Sequence, residues 1–414
     1  MDTKALAAIA AEARKADAER LGLTVTQFAA VAPKLPPLPR KPEWFDMKGG
    51  QLAVSPDCSY QLVAQSLRRA KSTLLLYIYD ISAGYLFDEL SAAKDRGVDV
   101  RVMYDATQGG KAEEAELKRR KLTHIAAPSS PPARVFTVCH QKFAIIDDKG
   151  ILVESANWAS TSIPERPKNA KYKLGNREWV MWAPGKELAG WFKALFDSDW
   201  QRAKTGGHAV GAVAPPQVAE EIEAAMHVFA AVPPTQFDVE AVPDAARVFP
   251  LISPNNYKDD LRPRLADAKK SICVQQQYIW AGDGVNDLLA ILEAKQKKGV
   301  KVRIITSPKF PEAWDRTVKT LKAANLLPCL KAQNLEFVVH CHNKGVIIDD
   351  TFSVVSSTNW SENSVTRGRE AGLLIESKKA TAYFQKVFDF DWKVGVKPAD
   401  VAEKFAVMPV GEGF

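Results

Sequence analysis

Cysteine is scarce: five residues in a chain of 414. An odd and small number argues against a disulfide framework and for a reducing compartment. No apolar run approaches the roughly 18 residues that a membrane-spanning helix needs. The N-terminus carries an acid at Asp2 and no apolar core of the signal-peptide kind, so secretion is not expected. A Gly-rich phosphate loop of the Walker type is missing, which leaves out that route to phosphate chemistry. So is any basic stretch interleaved with aromatics of the sort that grips single-stranded nucleic acid. These absences point to a cytoplasmic, unanchored globular protein. What is present is ordinary for that class, with 46% hydrophobic and 25% charged residues. A net charge of +7 suits a phosphate-bearing substrate.

Residues 2–32 are rich in Ala, Glu, Lys and Arg and read as surface helix. The proline-rich segment 33–43 cannot be a helix interior and reads as a strap over the first lobe. From residue 50, short apolar runs alternate with amphipathic stretches. Strands are expected at 51–54, 73–81, 98–104, 135–139 and 178–182, and helices at 61–71, 86–95, 111–122 and 185–203. Strands alternating with helices argue a mixed, mostly parallel sheet flanked by helices. Between 206 and 246 the composition shifts toward Ala, Val, Gly and Pro, as in a linker with a short helix near 217–230.

The chain then repeats itself. Cys139-His140-Gln141-Lys142, Asp147 and Ser155-Ala156-Asn157-Trp158 recur as Cys341-His342-Asn343-Lys344, Asp349 and Ser357-Thr358-Asn359-Trp360, each position displaced by 202 residues. Ser55-Pro56 recurs as Ser253-Pro254, Gly97 to Arg101 as Gly299 to Arg303, and Arg177-Glu178 as Arg369-Glu370. The pattern Phe-Asp-x-Asp-Trp occurs at 196–200 and 388–392. Landmarks across both halves mark a duplication rather than a solenoid, because the period is far above 20–50 residues. The later landmarks are displaced by 192, so the first copy carries an insertion of ten residues within 159–177, among them Arg166, Lys168, Lys171 and Lys173. That segment is expected to be a basic loop over a site mouth.

Spacing gives the chemistry. On an extended segment His140 and Lys142 point to one face, and Asn157 on a neighbouring segment can join them. An imidazole, an ammonium and an amide together suit a phosphate group: the lysine neutralises oxygens, the amide donates, and the imidazole attacks or moves a proton. The Ser155 and Ser357 hydroxyls are candidate further donors to phosphate. Displacement at a phosphodiester needs one group to attack and another to protonate the leaving alcohol. One copy supplies one histidine; two copies facing each other supply both. His340 stands two residues before His342, but a metal pair is not expected, since no third ligand is evident and the first copy has Val138 there. Trp158 and Trp360 are expected to pack beneath the site, and Cys139 and Cys341 to face the core. Asp148 and Asp350 read as turn residues.

Both copies read His-x-Lys, four residues, Asp, seven residues, Ser-x-Asn, which resembles the paired HKD motif of the phospholipase D superfamily. That pattern has Gly before the Ser, where this chain has Glu154 and Ser356. The resemblance implies two tandem phospholipase D-like lobes of α/β class related by a pseudo-twofold axis, with the site between them. The expected division is an N-terminal extension at 1–48, a first lobe at 49–205, a linker at 206–246 and a second lobe at 247–414. It implies His140 as nucleophile of a phosphohistidine intermediate and His342 as general acid and then base. Lys142, Lys344, Asn157 and Asn359 would bind phosphate oxygens, and Glu178 and Glu370 would orient the histidines. Asp147 and Asp349 are expected to brace the fold. No metal or cofactor is expected. The implied substrate is a phosphodiester, in the first instance a phospholipid met through peripheral contact with a membrane or as a soluble lipid, hydrolysed or transferred to an alcohol. Nucleic acid is the alternative. A monomer is expected, because one chain holds both half-sites.

Overall fold

The computed structural model describes residues 1–20, 24–26, 36–107, 110–129, 135–165, 175–205 and 237–405. The expected linker helix and the basic residues of the insertion lie outside them. Among the described residues the strands form two eight-stranded sheets, one per lobe.

The first lobe is built from β2 (Gly50–Ser55), α2 (Ser59–Arg68), β3 (Thr73–Ile78), α3 (Gly84–Asp95), β4 (Asp99–Tyr104), α4 (Gly110–Arg119), β5 (Thr123–Ala126), β6 (Phe143–Ile146), β7 (Gly150–Glu154), β8 (Glu178–Pro184) and α5 (Lys186–Thr205). In the second lobe the same series returns as β10 (Ala246–Ser253), α6 (Tyr257–Asp267), β11 (Ser271–Gln276), α7 (Asp283–Lys297), β12 (Lys301–Thr306), α8 (Pro311–Ala323), β13 (Leu330–Ala332), β14 (Lys344–Ile348), β15 (Phe352–Ser356), α9 (Glu362–Thr366), β16 (Glu370–Glu376) and α10 (Lys378–Val394). The run Thr73–Ile78 is apolar because β3 lies inside the sheet with helices over it, and all but its first residue are buried.

Mixed α/β sheets are present as expected, but parallel pairing is confined to one edge. β3, β4 and β5 pair in parallel, and so do β11, β12 and β13. Every other pairing is antiparallel. The connections through α2, α3, α4 and their counterparts join strands that run the same way, whereas from β6 and β14 onward neighbouring strands alternate in direction. The β6–β7 hairpin turns through Asp147 and Asp148, both in the left-handed region (φ 54° and 51°) that Asp tolerates. The Asp147 carboxylate then accepts from the backbone N–H groups of Lys71, Ser72 and Thr73. Against the burial that would raise it, these bonds hold its pKa down at about 2. Asp349 makes the matching set with Lys269, Lys270 and Ser271.

The expected lobe boundaries are crossed twice. β1 (Phe45–Met47), inside the 1–48 extension, pairs with β10 of the second lobe. β9 (Glu240–Val242), inside the expected linker, pairs with β2 of the first lobe. Each lobe's leading strand therefore caps the other lobe's sheet edge, which pairs backbone groups that an open edge would leave bare. The helix α1 (Thr3–Arg20) also docks on the second lobe: the Met1 ammonium reaches Glu293 at 3.1 Å, and Arg14 meets Asp283 at 2.8 Å. The strap does not stay on the first lobe either, for the carbonyl of Pro36 accepts from Asn255 while that of Lys41 accepts from Trp191.

One apolar core runs through the interface. It holds Leu76, Ile145 and Val153 of the first lobe with Cys341, Ile347, Val355 and Leu373 of the second. Cys139, Cys341 and Trp158 are buried in it, and Trp360 is buried in a separate core of the second lobe. Gly345 is required at this seam, because a Cβ there would run into the Trp179 ring from the opposite lobe.

Candidate active site

The segment 135–139 is not a strand; it forms a β-bridge only at Cys139, to Arg369 of the other lobe. The His140 N–H donates to the Arg369 carbonyl at 2.8 Å, and the Arg369 N–H donates to the Val138 carbonyl at 2.8 Å. The second copy mirrors this: Arg177 N–H to the His340 carbonyl at 2.8 Å and His342 N–H to the Arg177 carbonyl at 3.2 Å. Each His-x-Lys segment is thus held extended against the other lobe, directly ahead of β6 or β14.

The side chains are crossed in the same way. His140 Nδ1 lies 2.9 Å from Glu370 Oε2, and His342 Nδ1 lies 2.5 Å from Glu178 Oε1. Each imidazole is fixed by a carboxylate from the opposite lobe, which turns its Nε2 away from that carboxylate. The Ser155 hydroxyl donates to Glu178 at 2.5 Å and that of Ser357 to Glu370 at 2.6 Å. Both hydroxyls also accept from backbone, Trp179 N–H and Ala371 N–H. The serines are therefore not donors to phosphate as expected: they are fully buried and spent on the glutamates behind the histidines.

Lys142 and Lys344 reach back to the carbonyls of His140 (2.6 Å) and His342. Lys142 also lies over the Tyr79 ring at 4.8 Å, and Tyr79 meets His140 edge-on at 4.4 Å. Burial pushes Glu178 upward, and it pushes Glu370 up to about 7 against the lowering charges of both lysines. His342 is held well below its ordinary value by burial, then by the charges of Lys344, Lys142 and His140. The two lysines and two histidines thus act on one another across the interface. Asn157 and Asn359 sit on the turns leaving β7 and β15. The neighbouring Trp158 and Trp360 bridge to Ile81 and Ile279, past the ends of β3 and β11. The carboxamide oxygens of Asn157 and Asn359 are buried without a partner among the described residues.

Glu154 does not face the anion site. Its carboxylate accepts from the Trp158 indole at 2.6 Å, and burial raises its pKa to about 8. Ser356 is likewise turned inward, donating to Thr358 at 2.9 Å. The raised pKa has a consequence for stability. Glu154 keeps its proton in the folded protein to about pH 8 but loses it near 4.5 when unfolded, so its contribution to stability falls as pH rises through that window. Glu154→Gln removes the titration and keeps an acceptor for the indole. The thermal midpoint of the variant relative to the parent should rise between pH 5 and pH 8; a constant difference would count against the assignment.

Sequence reasoning passed over two buried clusters beside the histidines. Arg177 pairs with Asp391 (2.9 and 3.1 Å) and Asp57 (2.9 Å), and Arg369 pairs with Asp199 (3.0 and 3.1 Å) and meets Asn255 at 2.7 Å. The repeated Arg-Glu and Phe-Asp-x-Asp-Trp landmarks were the available signal.

Two facing half-sites of histidine, lysine and glutamate, generated by one duplication, define a two-lobed enzyme class that works on phosphate esters. The family described as cardiolipin synthase, PLD-like domain, matches residues 63–200 and again 261–392, more than half of the chain. The chain belongs to this family and is an enzyme of the phospholipase D superfamily. No curated protein matches it. Among solved structures it is similar to phosphatidylserine synthase of Haemophilus influenzae Rd KW20, with a TM-score of 0.59 at 14% identity over 89% of this chain and 95% of that one. It is also similar to polyphosphate kinase of Porphyromonas gingivalis, with a TM-score of 0.52 at 12% identity over 83% of this chain and 47% of that one. At these identities the likeness is one of fold. No helix among the described residues is long and apolar enough to cross a membrane.

Proposed function

We propose that the protein cleaves or exchanges the head-group ester of a phospholipid through a phosphohistidine intermediate. The observation that carries this is the crossed pair of imidazoles, each Nδ1 bonded to a glutamate of the other lobe, with both lysines beside them. His140 Nε2 attacks phosphorus, forming the P–N bond while the P–O bond to the leaving alcohol breaks; that alcohol takes its proton from His342 Nε2. Water or an acceptor alcohol then gives its proton to His342 and attacks phosphorus, and the P–N bond breaks. Lys142, Lys344, Asn157 and Asn359 hold the non-bridging oxygens, and Glu178 and Glu370 keep each imidazole in the tautomer with Nε2 toward phosphate. One chain completes the site, consistent with a monomeric, cytoplasmic enzyme that meets lipid at an interface. The test is activity on phosphatidylcholine liposomes beside single- and double-stranded DNA across a salt series. Lipid turnover with little on DNA supports the reading; DNA turnover with binding that falls steeply in salt would replace it with a nuclease.

The pH profile follows from the lysines. As the acid, His342 stops working when pH rises through its pKa, and in the free enzyme that pKa is below 6.5. The alkaline limb of kcat/KM should therefore lie below pH 6.5. A bound phosphodiester anion offsets the charges of Lys142 and Lys344 and raises the His342 pKa, so the alkaline limb of kcat should lie at higher pH. Coincident limbs in the two profiles would contradict this account.

A further inference from the structure

The two half-sites differ at one place that the chemistry above leaves unused. His340 lies on the same extended segment as His342 and Lys344, and alternation puts all three on one face. It is buried, at 3% exposure. Its Nδ1 sits 2.6 Å from the Ser307 hydroxyl, which also accepts the Lys309 N–H at 3.4 Å. The ring packs edge-on against Phe310 at 5.1 Å and lies 5.8 Å from the His342 ring. Its other nitrogen, Nε2, is buried and has no partner among the described residues. The matching positions of the first lobe are different. Val138 takes the place of His340. Asp105 takes the place of Ser307, and it is spent on the Cys139 N–H, the Ser129 hydroxyl and the Thr107 N–H.

A buried polar atom beside a reaction centre without a protein partner is a place for a ligand atom. We propose that His340 Nε2 hydrogen-bonds a hydroxyl on the alcohol that His342 serves, so that this half-site selects a hydroxyl-bearing head group. The separation of the rings fits this division. If His342 meets the reacting oxygen, His340 reaches an atom a bond or two further along the same alcohol. The neighbouring charges narrow the class. Lys309 and Lys344 act on the His340 ring and, after burial, favour its neutral form. The same cations disfavour an ammonium head group such as choline. A neutral polyol fits, because its hydroxyl can accept from or donate to Nε2 whichever way the Ser307 bond runs.

The inference rests on the phosphohistidine reading, and its test keeps the two apart. In mixed micelles, kcat/KM is measured for phosphatidylglycerol and for phosphatidylethanol, whose head group has no free hydroxyl. The parent should prefer phosphatidylglycerol by tenfold or more, as a site built to bond a hydroxyl does. His340→Val should bring the ratio near one, His340→Asn should keep part of it, and Ser307→Ala should fall between. If His340→Val does not fold, the ratio is read on Ser307→Ala. A separate arm traps the phosphoenzyme with a nitrophenyl phosphodiester, whose leaving group needs no proton. A parent without preference, or variants that keep it while the adduct forms, would overturn the role of His340 alone. A parent that turns over without any adduct would remove the phosphohistidine reading and this inference with it.

Discussion

His140→Ala should form no phosphoenzyme with any substrate, whereas His342→Ala should form it and then stall. On a lipid both variants should lose at least about 10³-fold in turnover, the scale of removing a nucleophile or a general acid. The difference appears with an activated nitrophenyl diester. Its leaving group departs unprotonated, so His140 still attacks once in the His342 variant. No base then remains to bring in water, and the adduct accumulates. The surroundings of the two histidines differ despite the near-symmetry, since His340 lies 5.8 Å from the His342 ring and the first copy has Val138 there. Glu370, beside His140, has its pKa pushed to about 7, while His342 is held low by burial and the two lysines. Mass spectrometry after exposure to the diester reads the outcome. An adduct on residue 342 of the parent, with none on His140, would exchange the two roles. Turnover in the parent with no adduct on either would rule out covalent catalysis.

How much of this was legible depended on the range of the interaction. Local periodicity was enough for β3, β4, β8 and the helices between them, because each buries a face whose pattern lies within one segment. Alternation was enough to put His140 beside Lys142 and His342 beside Lys344. Pairing across the interface was not legible, because nothing in a segment says which distant carboxylate it will meet. Glu178 and Glu370 were singled out, yet that each serves the opposite lobe's histidine emerges only in three dimensions. The serines illustrate the same limit: their position beside Asn157 and Asn359 suggests phosphate, but their hydroxyls donate to Glu178 and Glu370. The exchanged strands β1 and β9 are three residues each, too short to show a period of two, and their partners lie some 200 residues away for β1 and almost as far for β9. The parallel reading failed because a β–α–β alternation over the first part of each lobe was extended to strands that are joined by hairpins.

The interface clusters should respond unequally to the loss of one aspartate. Among the described residues Arg369 faces a single carboxylate within hydrogen-bonding distance, Asp199, with Asn255 on its other side and the Phe136 ring 4.0 Å away. Arg177 faces two, Asp391 and Asp57. Both guanidinium groups are almost wholly buried. Asp199→Ala leaves a buried cation without a counter-charge, a change that costs about 3–5 kcal/mol. Asp391→Ala leaves Arg177 its bond to Asp57, so the cost should be nearer the 1–3 kcal/mol of a lost buried hydrogen-bond partner. Gln275, which donates to Asp391 at 2.8 Å, adds to that smaller loss. The effect should extend to catalysis, since the backbone of Arg369 holds His140 and that of Arg177 holds His342. Among molecules that remain folded, Asp199→Ala should therefore slow adduct formation on His140. Denaturant midpoints of the two variants, with phosphoenzyme formation measured below the transition, test both parts. Equal losses, or losses under about 1 kcal/mol in both, would mean that water reaches these arginines and that the lobes are held by their shared apolar core.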